Sequence, residues 1–184
     1  MYDGGIRLIE ITYSANGAVS DEQTAANIKM LAEHFDGRMY IGAGTVITPE
    51  QVKLTKRAGG KFIISPDTYD GVIKKTCELD MVSMPGALTP SEVQQAHRAG
   101  ADFVKLFPVT NLGSNYIKAI KAPLSHIRFM AVGGINENNM GEYLKAGVCG
   151  FGIGSNIVNK KMLDENDFNG ITELAKKYKA ALGE

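Results

Sequence analysis

One layout recurs three times along the chain and restricts its fold more than any other feature. A capped helix stops at Ala-Gly and runs into a short apolar strand. Thr48-Pro49 to Ala58-Gly59 precedes Phe62-Ile63-Ile64-Ser65, Thr89-Pro90 to Ala99-Gly100 precedes Phe103-Val104-Lys105-Leu106, and Asn136 to Ala146-Gly147 precedes Phe151-Gly152-Ile153-Gly154. The helix starts are written in capping chemistry: Ser20, Thr48 and Thr89 each have Gln or Glu three residues on, and Pro follows the two threonines. Further strands are expected at 7–13, 39–46, 81–85 and 128–134, the third repeat's helix at 137–146, and further helices at 20–35, 69–78, 115–122 and 167–182. The strands are too continuously apolar for a one-sided sheet, so the pattern predicts parallel pairing with both faces covered. Counting from Arg7 gives seven strands. An open doubly wound sheet accommodates that number. So does a (β/α)8 TIM barrel whose chain starts one βα unit late, and Met1-Tyr2-Asp3-Gly4-Gly5, which reads as the tail of a helix-to-strand loop, favours the barrel.

The 184 residues suit one domain, spanning 1–184, with a sizeable core. Lys plus Arg and Asp plus Glu are both 20, so no basic field points to nucleic acid or an acidic membrane, and a small-molecule partner is expected. Cys77 and Cys149 lie in apolar segments without metal-ligand spacing and read as reduced structural thiols in a cytoplasmic protein. No segment has the length of a membrane span or the regions of a signal peptide. His34, His97 and His126 have no ligand spacing, and no metal or cofactor is expected.

Two charges interrupt otherwise apolar strands. Lys105 lies among Phe103, Val104, Leu106 and Phe107, in what reads as a fully buried strand closed by Pro108. Alternation puts Phe103, Lys105 and Phe107 on one face and Val104 and Leu106 on the other. A desolvated ammonium loses its proton more readily and becomes a nucleophile toward a carbonyl, the first step of Schiff-base chemistry. A structural Lys paired with a buried carboxylate is the other reading. Glu10 likewise shares a face with Leu8 and Thr12, opposite Ile9 and Ile11, where it can shuttle protons beside an amine or simply neutralise it. The last two strands end in Gly133-Gly134 and Gly154-Ser155, positions from which barrel loops commonly bind phosphate through backbone N–H groups.

Gly5 to Thr12, Gly42-Ala43-Gly44-Thr45, Ile64-Ser65-Pro66, Pro85-Gly86, Val104 to Pro108, Val132-Gly133-Gly134 and Gly154-Ser155 together resemble the 2-keto-3-deoxy-6-phosphogluconate and 4-hydroxy-2-oxoglutarate aldolase family, in the right order over nearly the whole chain. The resemblance implies a (β/α)8 class I aldolase without metal or cofactor, usually a homotrimer, acting on a phosphorylated keto acid and releasing pyruvate. It implies Lys105 as the imine-forming amine and Glu10 as the acid/base. Thr45, Pro66, Phe107 and Val132 would then contact substrate, and Gly133, Gly134, Gly154 and Ser155 would hold the phosphate. Tyr13-Ser14 stands where gluconate-type members carry an Arg, and Val132 where they carry Thr. Both, with the helix from Tyr116 to Ala122, resemble the 2-keto-3-deoxy-6-phosphogalactonate branch. Val109 stands where a small residue usually follows Phe-Pro, and by the resemblance the first strand, which in the family often supplies a substrate-binding Arg, is expected to be absent. Two alternatives remain: an inactive aldolase scaffold that only binds, and another phosphate-binding barrel such as an isomerase or thiamine-phosphate-type transferase.

Overall fold

The computed structural model describes residues 1–183. Two compact units can be distinguished, Leu8–Lys105, and Met1–Arg7 with the chain from Leu106 onward.

The unit Leu8–Lys105 contains a parallel sheet in the order β1 (Leu8–Thr12), β2 (Tyr40–Gly44), β3 (Phe62–Ile64), β4 (Val82–Met84). Three crossover helices join them, α1 (Asp21–Phe35), α2 (Pro49–Arg57) and α3 (Asp70–Glu78), as parallel pairing requires. After β4, Pro85 removes a donor, and the chain resumes as the two-residue β5 (Gly86–Ala87) before α4 (Pro90–Ala99) and the start of β6 (Val104–Leu106). β4 falls within the predicted strand 81–85, whereas β5 lies just beyond it, in a different sheet, and is the eighth strand that the sequence count of seven lacked. In register, Glu10 lies opposite Gly42 and Thr12 opposite Gly44, while Ile9 and Ile11 pair with Ile41 and Ala43. Ile41, Ala43 and Ile63 share the face covered by helices that contribute Ile28, Val52, Val72 and Ile73, all essentially without solvent contact.

The predicted caps form with graded completeness. Thr89 and Glu92 make the full reciprocal box at α4. At α1 and α2 only the hydroxyl half forms: Ser20 accepts from Gln23 N and Thr48 from Gln51 N, whereas the Gln51 carboxamide accepts from Ile47 N and donates to Asp21.

In the second unit β7 (Phe129–Val132) and β8 (Gly150–Gly152) pair in parallel. Around them lie α5 (Gly113–Lys121), α6 (Met140–Lys145), α7 (Lys160–Asp164) and α8 (Phe168–Ala181). Helix α6 begins later than the expected residue 137, because Asn136 Oδ1 accepts from the N–H groups of Asn138 and Asn139 and holds the segment as a side-chain-bonded turn. The N-terminal 3₁₀ turn Tyr2–Gly4 packs on α8, where Gly4 approaches Ala175 and the Thr172 carbonyl too closely for any side chain.

Two expectations need correction. The Lys105 strand is not fully buried: Val104 and Leu106 are at 0%, but Lys105 is only half-buried, as are Phe103 and Phe107 on the same face. Cys77 and Cys149 are exposed rather than interior, their thiols donating to the Gly100 and Phe129 carbonyls. No helix among the described residues is long and apolar enough to cross a membrane.

Candidate active site

Lys105, Glu10, Thr45 and Pro66 all belong to the unit Leu8–Lys105. Lys105 projects from the half-buried face of β6, its backbone N–H fixed by the Pro85 carbonyl at 2.9 Å and its Nζ 3.5 Å from the Ser65 carbonyl. Burial pulls the pKa of the amine down, and the negative charge of Glu10 opposes that fall. Glu10 mirrors it: burial pushes its carboxyl up, partly offset by Lys105. Solvent reaches part of the Glu10 residue. Its carboxyl lies over Gly44, where a Cβ would stand 2.5 Å from Oε2. The two groups therefore interact as charges while each is driven toward its neutral form, the state in which an amine adds to a carbonyl and a carboxylic acid gives up a proton.

Thr45 follows Gly44 at the end of β2 with φ 53°, a left-handed conformation rare for a β-branched residue and costing on the order of 1–3 kcal/mol. The flanking contacts hold it: Tyr13 N donates to the Gly44 carbonyl, Val46 N to Ile64, and Ile47 N to the Gln51 side chain. Pro66 is clamped against Gly86, where no side chain fits, and Thr68 Oγ1 donates to the Gly86 carbonyl at 2.6 Å. Tyr13, which follows the Glu10-x-Thr12 strand, turns away into the layer under α2. It is 1% exposed and its hydroxyl bonds to Thr55 Oγ1 and the Gln51 carbonyl.

Phe107, Val132, Gly133, Gly134, Gly154 and Ser155 belong to the other unit. Val132 ends β7 opposite Gly152, whose missing side chain makes room for it. Gly133 and Gly134 have φ of 102° and 70°, so the turn depends on glycine at both. Thr110, which the sequence did not single out, packs its hydroxyl side chain against both. Asn139 donates to the Gly134 carbonyl and Asn156 to that of Ile135, tying the loops after β7 and β8 together. Gly154 accepts from the N–H groups of Ile157 and Val158, and Ser155 is exposed on that turn.

This layout can be set beside known proteins. A family model described as KDPG and KHG aldolase matches residues 1–174. The chain belongs to that aldolase family. Among its relatives, the 2-dehydro-3-deoxy-6-phosphogalactonate aldolase of Escherichia coli K12 is 33% identical over 181 residues, 98% of this chain and 85% of that protein. The KDPG aldolase of Legionella pneumophila, crystallised with pyruvate captured as a covalent carbinolamine, superposes with a TM-score of 0.83 at 31% identity over 95% of this chain and 82% of that one. The fold class of this family member is accordingly the TIM-barrel type that the alternation of strands and helices predicts. A thiamine phosphate pyrophosphorylase of Pyrococcus furiosus is similar in fold alone, with a TM-score of 0.73 at 17% identity over 99% of this chain and 85% of that one.

Proposed function

We propose that this family member is a class I aldolase that cleaves a 2-keto-3-deoxy-6-phospho sugar acid to pyruvate and glyceraldehyde 3-phosphate through an imine on Lys105. The observation that carries the reading is that Lys105 and Glu10 belong to one unit and act on each other's charge, with the Nζ near the Ser65 carbonyl and the carboxyl over Gly44, while burial pushes the amine pKa down and the carboxyl pKa up. The neutral Nζ adds to the C2 ketone and forms a carbinolamine. Glu10 donates a proton to its hydroxyl, which leaves as water. The C3–C4 bond then breaks, its electron pair moving into the iminium to give an enamine, while the Glu10 carboxylate takes the C4 hydroxyl proton and the aldehyde departs. That proton returns to C3, and water hydrolyses the pyruvate imine to free Lys105.

In this reading the Thr45 hydroxyl holds the substrate carboxylate, Pro66, Phe107 and Val132 line the keto-acid portion, and Gly133, Gly134, Gly154 and Ser155 take the phosphate through backbone N–H groups and one hydroxyl. The galactonate-type substrate is the better fit, because buried Tyr13 leaves no cation where gluconate-type members carry their Arg, and the galactonate enzyme of E. coli is among the similar relatives. A cytoplasmic homotrimer completes the proposal, and light scattering of the purified protein checks the assembly.

Mass spectrometry after incubation with pyruvate and borohydride tests the mechanism. The expected result is a pyruvate-derived adduct on Lys105. Folded protein without an adduct would exclude the imine and return the chain to the binding-scaffold or phosphate-barrel readings.

A further inference from the structure

Two glycines separated by one residue on β2 leave space for very different neighbours. A Cβ on Gly42 would run into the ring of Phe62. On Gly44 the nearest atoms would all be the Glu10 carboxyl: Oε2 at 2.5 Å, Cδ at 2.7 Å and Oε1 at 3.2 Å. Gly44 is not among the residues with positive φ, so its backbone is one that alanine adopts without strain. Glycine at position 44 therefore answers to the carboxyl and not to the chain. The obstacle would be the far end of a flexible side chain, which moves aside at little cost to stability, whereas a ring held among core residues at position 62 does not.

Resting on the aldolase reading above, we infer that Gly44 is a positioning residue for Glu10: by offering no side chain it sets where the carboxyl lies relative to Lys105 and governs the proton-transfer steps rather than binding. A methyl group there pushes the carboxyl off its seat by about 1 Å, a displacement of the size that can cost about 10²-fold in a chemical step. The expectation is a loss in kcat with KM changed little, because Glu10 and not the substrate is displaced.

Gly44→Ala tests this with two readouts on pyruvate alone. Borohydride trapping at equilibrium reports the Lys105 imine, and exchange of the pyruvate methyl protons in deuterated water, followed by NMR, reports enamine formation. The inference expects Gly44→Ala to be trapped like the wild type, to melt within a few degrees of it, and to exchange about 10²-fold more slowly. In a Glu10→Asp background, where the shorter carboxylate clears the methyl, the same substitution should cost much less. Exchange at the wild-type rate, or costs that multiply as if the two sites were independent, would overturn the role of Gly44. A wild-type protein that exchanges and traps nothing would instead overturn the aldolase reading itself.

Discussion

The sheet β1–β4 has two faces that obey opposite rules. On the helix-covered face Ile41, Ala43 and Ile63 are exposed by 1% or less. On the other face Phe62 and Met84 are also buried, at 3% and 5%, but Leu8 is 51% exposed, Tyr40 57% and Val82 37%, and the Glu10 carboxyl lies over Gly44. One face is filled to exclude water and supplies stability. The other is packed in part, by Phe62 and Met84, and also carries groups held away from their preferred ionisation states, which costs stability and supplies chemistry.

The strongest way to break this contrast is Lys105→Ala. Turnover should fall at least about 10³-fold, since no other residue replaces the imine, while thermal melting stays at or above the wild-type temperature. The sign follows from the lowered amine pKa. Stability linked to Lys105 is present above the unfolded value of 10.5 and is lost as pH falls through the lower folded value, so at neutral pH the ammonium is a liability that alanine removes. A cooperative transition at a clearly lower temperature would show that Lys105 holds the fold.

Glu10→Gln comes next, with an expected loss of about 10²–10⁴-fold in turnover. It also removes the charge that holds the Lys105 pKa up, so the acid limb of the kcat/KM profile should move to lower pH. For stability, the raised carboxyl contributes fully below its unfolded value of 4.5 and loses that contribution as pH rises through the higher folded value. The variant should therefore be at least as stable as the wild type at pH 7 and show a flatter dependence on pH above 4.5. Urea melts across that range measure it.

The packed face should answer the other way. Ile63→Ala is expected to cost about 2–5 kcal/mol in urea unfolding, while the surviving folded protein still forms the Lys105 adduct with pyruvate. Thr89→Ala, which removes the full capping box of α4, should cost about 0.5–2 kcal/mol with kcat unchanged. A large loss of activity from either would mean that the two faces are coupled.

Much of the fold was legible because it is written in local chemistry. The helix starts at Ser20, Thr48 and Thr89 depend on a hydroxyl and a donor three residues away, and all three occur. Helix α7 is not legible because its five residues follow an Asn cap without apolar periodicity, and α6 starts late because the Asn136 and Asn139 side chains accept from N–H groups of residues 136, 138 and 139 and hold them in a turn. Exposure of Cys77 was hidden for a related reason: an apolar segment at a helix end still has one side turned to solvent.

By itself the sequence determined the alternation of strands and helices, the caps, and the presence of two charges on alternate positions of apolar strands, since each depends on residues near one another in the chain. Only the tertiary structure decided that Glu10 and Lys105 feel each other's charge, that Gly44 rather than Gly42 seats the carboxyl, that Thr45 takes a left-handed conformation, and that Tyr13 is buried under α2 against Thr55. Those facts depend on which strand lies beside which and on how much protein surrounds each group, and distance and desolvation are properties of packing that chain order does not encode.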